Sequence, residues 1–213
     1  IANSYDFLKF YKSGLTELLL SKGFIVNWVF WGPYRDFPFK ERVKCFAMNN
    51  AKYKIVQLIQ LSFLLFKIFA TKPKSIIISH TAYPNVISML TRFLVFFSQV
   101  KLFIVVTGFG PSRIRNSLRF RLLGRIYISL LRLSSGFKNK VFIIALNLTD
   151  LNLIQDYNIK RKCYLVRESG VDRNDLLLAN DKLNKRLIDI KSRPLNVTFF
   201  GRFLLEKGIR EFS

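Results

Sequence analysis

The apolar positions follow two alternating spacings along the chain. Helical spacing predicts helices over residues 6–22, 54–70, 85–97, 112–133, 148–157 and 181–190. Short, mostly apolar runs predict strands over residues 24–30, 75–79, 102–106, 140–145, 163–166 and 196–200. Strands that alternate with helices are typical of βαβ units. The pattern therefore predicts an α/β protein with a Rossmann-like parallel sheet, strands buried on both faces, and helices covering both sides.

A polar stretch late in the chain indicates a domain boundary. We predict one Rossmann-like domain over residues 1–180 with an incomplete first strand, a connection over 181–194, and the first strand and helix start of a second domain over 195–213. Because the chain does not begin with Met, we expect residues upstream of Ile1. The longest apolar stretch, residues 55–70, contains Gln57, Gln60 and Lys67 and is shorter than the ~20 residues of a membrane-spanning helix.

The charge is strongly one-sided. Lys and Arg number 35 and Asp and Glu 13, which gives a formal charge of +22. Between Glu41 and Asp150 there is no acidic residue, which suggests an anionic partner: membrane lipid, nucleic acid or a phosphorylated substrate. Lysine-rich codon usage is the plainer explanation. The predicted helix over 112–133 has six arginines on a basic side that fits either a membrane surface or solvent. The membrane-facing candidates among them are Arg115, Arg119, Arg121 and Arg125.

Cysteine and histidine are scarce. Cys45 and Cys163 are far apart in sequence, which argues against a disulfide framework and favours a reducing compartment. His80 is the single histidine, so a structural zinc site has too few ligands. Since His80 directly follows a predicted strand, it is a candidate for substrate contact or acid–base chemistry, or else a structural core histidine.

Two further strand ends carry candidate chemistry. Thr107, Gly108 and Gly110 follow a buried strand, where glycines let a ligand approach the backbone; a tight turn explains them equally well. Gly201, Arg202 and Lys207 follow the last predicted strand, and two cations at one strand end suit a diphosphate. The alternative for both cations is a solvated surface.

Five segments, in order, resemble glycosyltransferase family 4, in the branch that builds bacterial capsule, O-antigen (lipopolysaccharide) and exopolysaccharide chains. Residues 18–26 match its "L…kG…V", and residues 78–87 are similar to "l-S-Y-T-i-K-P-N-i-Y". Residues 107–110 look like "T-G-L-G", residues 169–172 like "S-G-V-D", and residues 200–208 like "G-R-l-l-k-E-K-G". Together these segments cover essentially the whole chain.

The resemblance implies the N-terminal half of a GT-B fold and a retaining transfer of sugar from a UDP- or GDP-linked donor. Gly201, Arg202 and Lys207 would bind the donor diphosphate. His80, Thr107, Gly108 and Gly110 would face the acceptor side of the interdomain cleft. The family needs no metal or other cofactor. Its acceptor would be an undecaprenyl-diphosphate-linked saccharide, with the enzyme peripheral on the cytoplasmic face of the bacterial plasma membrane.

The chain also departs from the family pattern. His80 stands where the family commonly has Tyr, which leaves the acceptor contacts open. The family's catalytic pair of glutamates would lie beyond Ser213, so we expect the chain as given to be an inactive fragment. The alternatives from other classes are a basic nucleic-acid-binding protein and a non-catalytic, membrane-associated remnant of the transferase fold.

Overall fold

The computed structural model describes residues 1–33, 39, 41–48, 54–108, 118–137, 139–159 and 163–167. The chain divides into two compact units, Ile1–Glu168 and Ser169–Ser213, and every described residue belongs to the first. The predicted helix over 181–190, the strand over 196–200 and the proposed domain boundary lie outside the described residues. Those assignments stay predictions.

Helices and strands alternate through the described residues, as the apolar pattern predicts. In chain order they are α1 (Tyr5–Ser21), β1 (Val26–Trp31), β2 (Val43–Met48), α2 (Lys54–Thr71), β3 (Ile76–His80), α3 (Ala82–Leu94), β4 (Lys101–Val106), α4 (Leu118–Ser135), β5 (Val141–Ala145), α5 (Leu148–Asp156) and β6 (Cys163–Leu165).

Strand β2 is the element that the sequence analysis missed. Its run Val-Lys-Cys-Phe-Ala-Met contains one β-branched residue and an exposed lysine, so it lacks the apolar signature of the other strands. Among the described strands, β2 pairs with β1 alone and is an edge strand, so it needs no such continuous apolar run.

All of the described strand pairs are parallel. Strands β1 and β2 form one ladder, and the second ladder has the order β3-β4-β5-β6. Ile1 and Ala2 lie between the two ladders. The Ile1 nitrogen donates to Ile78 O at 2.7 Å, His80 N–H donates to Ile1 O at 2.9 Å, and Ala2 N–H donates to Val29 O at 3.1 Å. These hydrogen bonds connect the two ladders through Ile1 and Ala2, in a Rossmann-like arrangement of parallel strands.

Helices cover both faces of the strands, because alternate strand residues point to opposite sides. Val29 and Trp31 of β1 share a core with α2, α3 and α4, which includes Leu61, Ile87 and Leu131. Trp28 and Phe30 point the other way and pack against Tyr5 and Leu8 of α1. The predicted Rossmann-like α/β class is therefore confirmed.

Beyond α1, the second face of the described strands is partly buried. Leu102 and Ile104 are buried against the helices, whereas Phe103 between them is only partly buried. The rings of Phe103 and Phe142 stack with their centroids 4.8 Å apart. With Ile144 and residues 164–166 they line an open apolar groove of about 410 Å³. This part of β4–β6 is therefore only partly buried on its second face.

Helix α3 begins three residues earlier than predicted. Thr81 takes a φ of 69°, and the helix starts immediately after it at Ala82. Pro84 lies in the first turn, where its missing N–H costs no helical hydrogen bond. The predicted start at Asn85 was therefore one turn too late, and this shift places Asn85 inside the helix.

Candidate functional site

The carboxyl ends of β3 and β4 lie side by side, because His80 pairs with Val105 in the parallel register. Thr81 follows β3, and Thr107 and Gly108 follow β4. Parallel α/β sheets bind their ligands at this edge. Two of the sequence-predicted segments, around His80 and around Thr107, are thus neighbours in the fold.

Asn85, in the first turns of α3, forms hydrogen bonds to β4 and α4 at this edge. Its side chain is fully buried, and its Nδ2 donates to Val105 O of β4 and to the Tyr127 hydroxyl of α4, both at 2.9 Å. Its Oδ1 has no hydrogen-bond partner among the described residues. Asn85 therefore ties one strand and two helices together and leaves one acceptor unused.

Asp150 places a carboxylate beside the loop that follows β4. It is buried, and its Oδ2 accepts from Asn147 Nδ2 at 2.7 Å. Asn147 caps α5, because its Oδ1 accepts from Asp150 N–H at 2.8 Å. A Cβ on Gly108 would lie 3.8 Å from Asp150 Oδ2, and Gly108 has a φ of +104° that favours glycine.

Tyr127 interacts with both Asn85 and Asp150. Burial raises the pKa of Tyr127 to about 12, with a smaller opposing effect of the Asn85 hydrogen bond and a further increase from the Asp150 charge. Its hydroxyl therefore stays protonated at physiological pH. We call Asn85, Tyr127, Asn147 and Asp150 the polar cluster. Amide, phenol and carboxylate groups can bind hydroxyl groups of a ligand through hydrogen bonds, as donors and as acceptors.

His80 lies below the edge rather than on the surface. It is 3 % exposed, and its ring contacts that of Phe7 on α1 with centroids 5.6 Å apart. Burial lowers the pKa of His80 to about 2, and the charge of Lys12 lowers it further. Its Nδ1 has no hydrogen-bond partner within the described ranges. His80 is therefore a neutral imidazole at physiological pH, and its part in acceptor binding stays a prediction.

Thr81 is the strained residue of this edge. Its φ of 69° is unusual for a β-branched side chain, and its buried Oγ1 has no hydrogen-bond partner in the part of the chain that the structure describes. Backbone strain of this kind costs on the order of 1–3 kcal/mol and is frequent at functional sites. The strain at Thr81 is therefore a further indication that the carboxyl ends of β3 and β4 form a functional site.

The remaining sequence-predicted residues are placed only in part. Thr107 is exposed, and Arg121 and Arg125 are exposed on α4. Arg119 lies in α4, but its side chain is not among those described. The other predicted residues lie outside the described residues: Gly110, Arg115, Gly201, Arg202 and Lys207.

Sequence reasoning missed the chemistry of Asn85, Tyr127 and Asp150. Asn85 carried a weak signal, since it follows Pro84 directly after a strand. Asn147 and Asp150 have the spacing of a helix N-cap and the third residue of the helix, so the sequence predicts the cap. It does not predict that Asp150 lies near Tyr127 and Gly108. Tyr127 sits in an arginine-rich helix and gave no signal, because its partner is 42 residues away.

Metal and thiol chemistry find little support in the described ranges. No three His, Cys, Asp or Glu side chains there lie close enough together to hold a metal ion. Burial raises the pKa of both thiols, Cys45 and Cys163, to about 11. The described helices include none that is long and apolar enough to cross a bilayer.

Comparison with known proteins gives no family. No protein-family model matches the chain, and no curated protein is significantly similar to it. The class that stands is therefore the one the architecture defines, a Rossmann-like α/β protein with a polar cluster at the carboxyl edge of its strands.

Titration of His80 makes the stability of the protein depend on pH. The pKa falls from 6.5 in the unfolded chain to about 2 in the folded one. Below pH 6.5 the unfolded chain therefore takes up a proton that the folded protein does not, and stability decreases as the pH falls. At about pH 5 this costs roughly 2 kcal/mol relative to neutral pH.

Urea unfolding of the wild type and His80→Phe, at about pH 7.5 and about pH 5, checks this. We expect the wild type to lose roughly 2 kcal/mol more than the variant between the two pH values. Equal losses in the two proteins would show that His80 is not buried in its neutral form.

Proposed function

We propose that the protein is a retaining glycosyltransferase of surface-polysaccharide synthesis. It moves a sugar from a UDP- or GDP-linked donor to an undecaprenyl-diphosphate-linked saccharide. Because this acceptor is anchored in the membrane by its lipid, we expect the enzyme to be peripheral on the cytoplasmic face of the plasma membrane. The nucleotide sugar is a substrate, and the proposal involves no metal.

One observation carries this proposal. The two described segments that resemble the family's cleft motifs, residues 78–87 and 107–108, follow the consecutive strands β3 and β4 and meet at one edge of the strands. This edge is where open parallel sheets bind ligands. The resemblance implies that both segments line one cleft, and the parallel pairing of β3 with β4 is consistent with that.

The polar cluster supports a saccharide as the ligand of this edge. Asp150 offers a buried carboxylate next to the glycine backbone at Gly108, where a ligand can approach closely. Asn85 is fully buried behind this edge, where its side chain positions the Val105 carbonyl and the Tyr127 hydroxyl. Carboxylate and amide groups are suited to hydroxyl-bearing ligands, because they accept hydrogen bonds from several hydroxyls at once.

A nucleic-acid-binding protein is the second candidate, and the partly exposed aromatic row Phe103, Phe142 and Tyr164 favours it. Single strands bind where aromatic platforms combine with cations. The groove beside this row is lined by apolar side chains alone among the described residues, and Phe103 and Phe142 stack on each other. The row is therefore less suited to stacking bases than the polar edge is to binding a saccharide.

The test uses the full open reading frame that contains these residues. Calorimetry with UDP and GDP measures donor binding, and transfer from labelled UDP- and GDP-hexoses to an undecaprenyl-diphosphate-linked saccharide measures activity. We expect one nucleotide to bind and its sugar to be transferred with retention. Arg202→Ala should weaken nucleotide binding about tenfold or more, since it removes a charge-assisted hydrogen-bond donor.

Arg210→Ala is the matched control, because it removes an arginine from the same segment outside the matched motif. Its affinity should equal that of the wild type. Unchanged affinity in Arg202→Ala contradicts the diphosphate assignment. Binding of a nucleotide without transfer supports the non-catalytic remnant. Saturable protection of a single-stranded oligonucleotide at physiological salt, with no nucleotide binding, supports the nucleic-acid alternative.

A further inference from the structure

Three helices form a layer over one side of the strands. Helix α3 lies between α2 and α4 and packs against both. Their inward residues, among them Leu65, Met89 and Leu131, belong to the main hydrophobic core. The opposite sides of the three helices form a common outward surface, which we call the outer helical face.

Helix α2 exposes apolar side chains where a solvent-facing helix normally carries charge. Ile55, Ile59, Phe63 and Phe66 recur at helical spacing, and Phe63 is 72 % exposed. In contrast, Leu61, Leu65 and Phe69 face the core. The helix is therefore apolar on two sides, although it borders solvent on one of them.

The same property continues across α3 and α4. Leu90 and Leu94 lie four residues apart on α3, and Leu94 is 74 % exposed. On α4, Leu118, Leu122 and Ile126 repeat this spacing and are also exposed. Exposed apolar side chains thus recur on all three helices, and exposed apolar patches of this kind mark interaction surfaces.

The charge of this face is of one sign. Helices α2, α3 and α4 contain no Asp or Glu, whereas exposed Lys67, Arg125 and Arg132 lie on them. Acidic residues of the described helices are found elsewhere, on α1 (Asp6, Glu17) and α5 (Asp150, Asp156). The apolar surface is therefore bordered by cations, as in amphipathic helices that lie in the interface of anionic membranes.

We propose that the outer helical face is the surface by which this protein docks onto an anionic phospholipid bilayer. The apolar side chains of α2, α3 and α4 enter the interfacial layer, while the arginines and Lys67 contact lipid phosphates. The proposal rests on exposure and charge alone and does not depend on the glycosyltransferase activity.

A second copy of the chain is a poorer occupant of this face. An isologous dimer would bring Arg125 and Arg132 of two protomers into one apolar interface with no acidic residue from these helices between them. Like charges would then be desolvated without partners. Anionic lipid headgroups neutralise the same cations, so charge complementarity selects the membrane.

Vesicle flotation with the 213-residue chain tests the docking surface. We expect binding to phosphatidylcholine vesicles that contain phosphatidylglycerol, and weak binding to phosphatidylcholine alone. The double variant Phe63→Ser/Phe66→Ser should reduce binding at least tenfold, because it removes two exposed rings from the face. Arg125→Gln/Arg132→Gln should reduce binding to anionic vesicles on the order of fivefold for each cation.

Phe10 provides the matched control. It is 73 % exposed on α1, on the other side of the strands, where the helix carries acidic residues. Phe10→Ser should leave flotation within twofold of the wild type. As a second measurement, a polarity-sensitive dye on Phe63→Cys should shift to the blue with anionic vesicles, whereas the same dye on Phe10→Cys should not.

Three results would overturn the proposal: flotation unchanged in both double variants, an equal loss in Phe10→Ser, or a dye response of the same size at both positions. A concentration-dependent dimer in light scattering that Phe63→Ser/Phe66→Ser dissociates would assign the face to a second copy instead. Because no nucleotide or sugar enters these measurements, failure here is distinct from failure of the glycosyltransferase proposal.

Discussion

Arg92→Ala is expected to lower the free energy of unfolding by about 3–4 kcal/mol, which is large for a single substitution. Arg92 is fully buried in α3. Its Nη2 donates to Ser98 O at 2.9 Å and its Nη1 to Val95 O at 3.5 Å. The guanidinium also lies over the rings of Phe69 and Phe137, at 5.6 and 5.2 Å from their centroids.

The size of this effect follows from what alanine leaves behind. The carbonyls of Val95 and Ser98 lose a charged donor, and the two aromatic rings face a cavity. Burial lowers the pKa of Arg92, which shows that the charge is desolvated, yet π faces and carbonyl dipoles surround it instead of a carboxylate in the described residues. Arg92 thus holds the turn from α3 to β4 closed.

Chemical denaturation measures this loss, with Arg132→Ala as the control. Arg132 is exposed on α4, so its removal should change stability by less than about 0.5 kcal/mol. Arg92→Met keeps most of the side-chain volume and should fall between the wild type and Arg92→Ala. A loss of less than about 1 kcal/mol in Arg92→Ala would contradict the buried hydrogen bonds.

Asn85→Ala is expected to cost about 2–3 kcal/mol, because it removes both hydrogen bonds that join β4 and α4 to α3. Tyr127→Phe should cost about 1 kcal/mol by itself, since only the hydroxyl is lost. The two residues contact each other, so their effects are not independent. The double variant should therefore lose about 1 kcal/mol less than the sum of the single variants.

A double-mutant cycle in urea gives this coupling free energy directly. Asn152→Ala is the control, because Asn152 is exposed on α5 and should be almost neutral. Strict additivity of Asn85→Ala and Tyr127→Phe would mean that the 2.9 Å contact contributes nothing to stability.

The fold was largely predictable because its signals are local. Apolar runs such as Ile76–His80 and Lys101–Val106 identify buried parallel strands, and the helices between them follow from apolar periodicity. Strand β2 was missed because an edge strand needs less apolar character. The start of α3 was misplaced because the φ of Thr81 is set by its tertiary environment and not by its sequence neighbours.

The site was less predictable because its contacts are long-range. Candidate positions after β3 and β4 could be named, since parallel strands end together. That Asn85 reaches Tyr127, 42 residues away, depends on the packing of α3 against α4. The burial of His80 beneath Phe7 is likewise a property of the way α1 packs, which no spacing along the chain encodes.

The two native thiols bear on how this protein can be labelled. Thiolate is the reactive form, and with pKa values of about 11 both Cys45 and Cys163 are almost entirely protonated at neutral pH. A cysteine introduced at an exposed position keeps an ordinary pKa and reacts with maleimides far faster. Single dyes or spin labels can therefore be attached to chosen surface positions while the native cysteines, and the packing around them, are left in place.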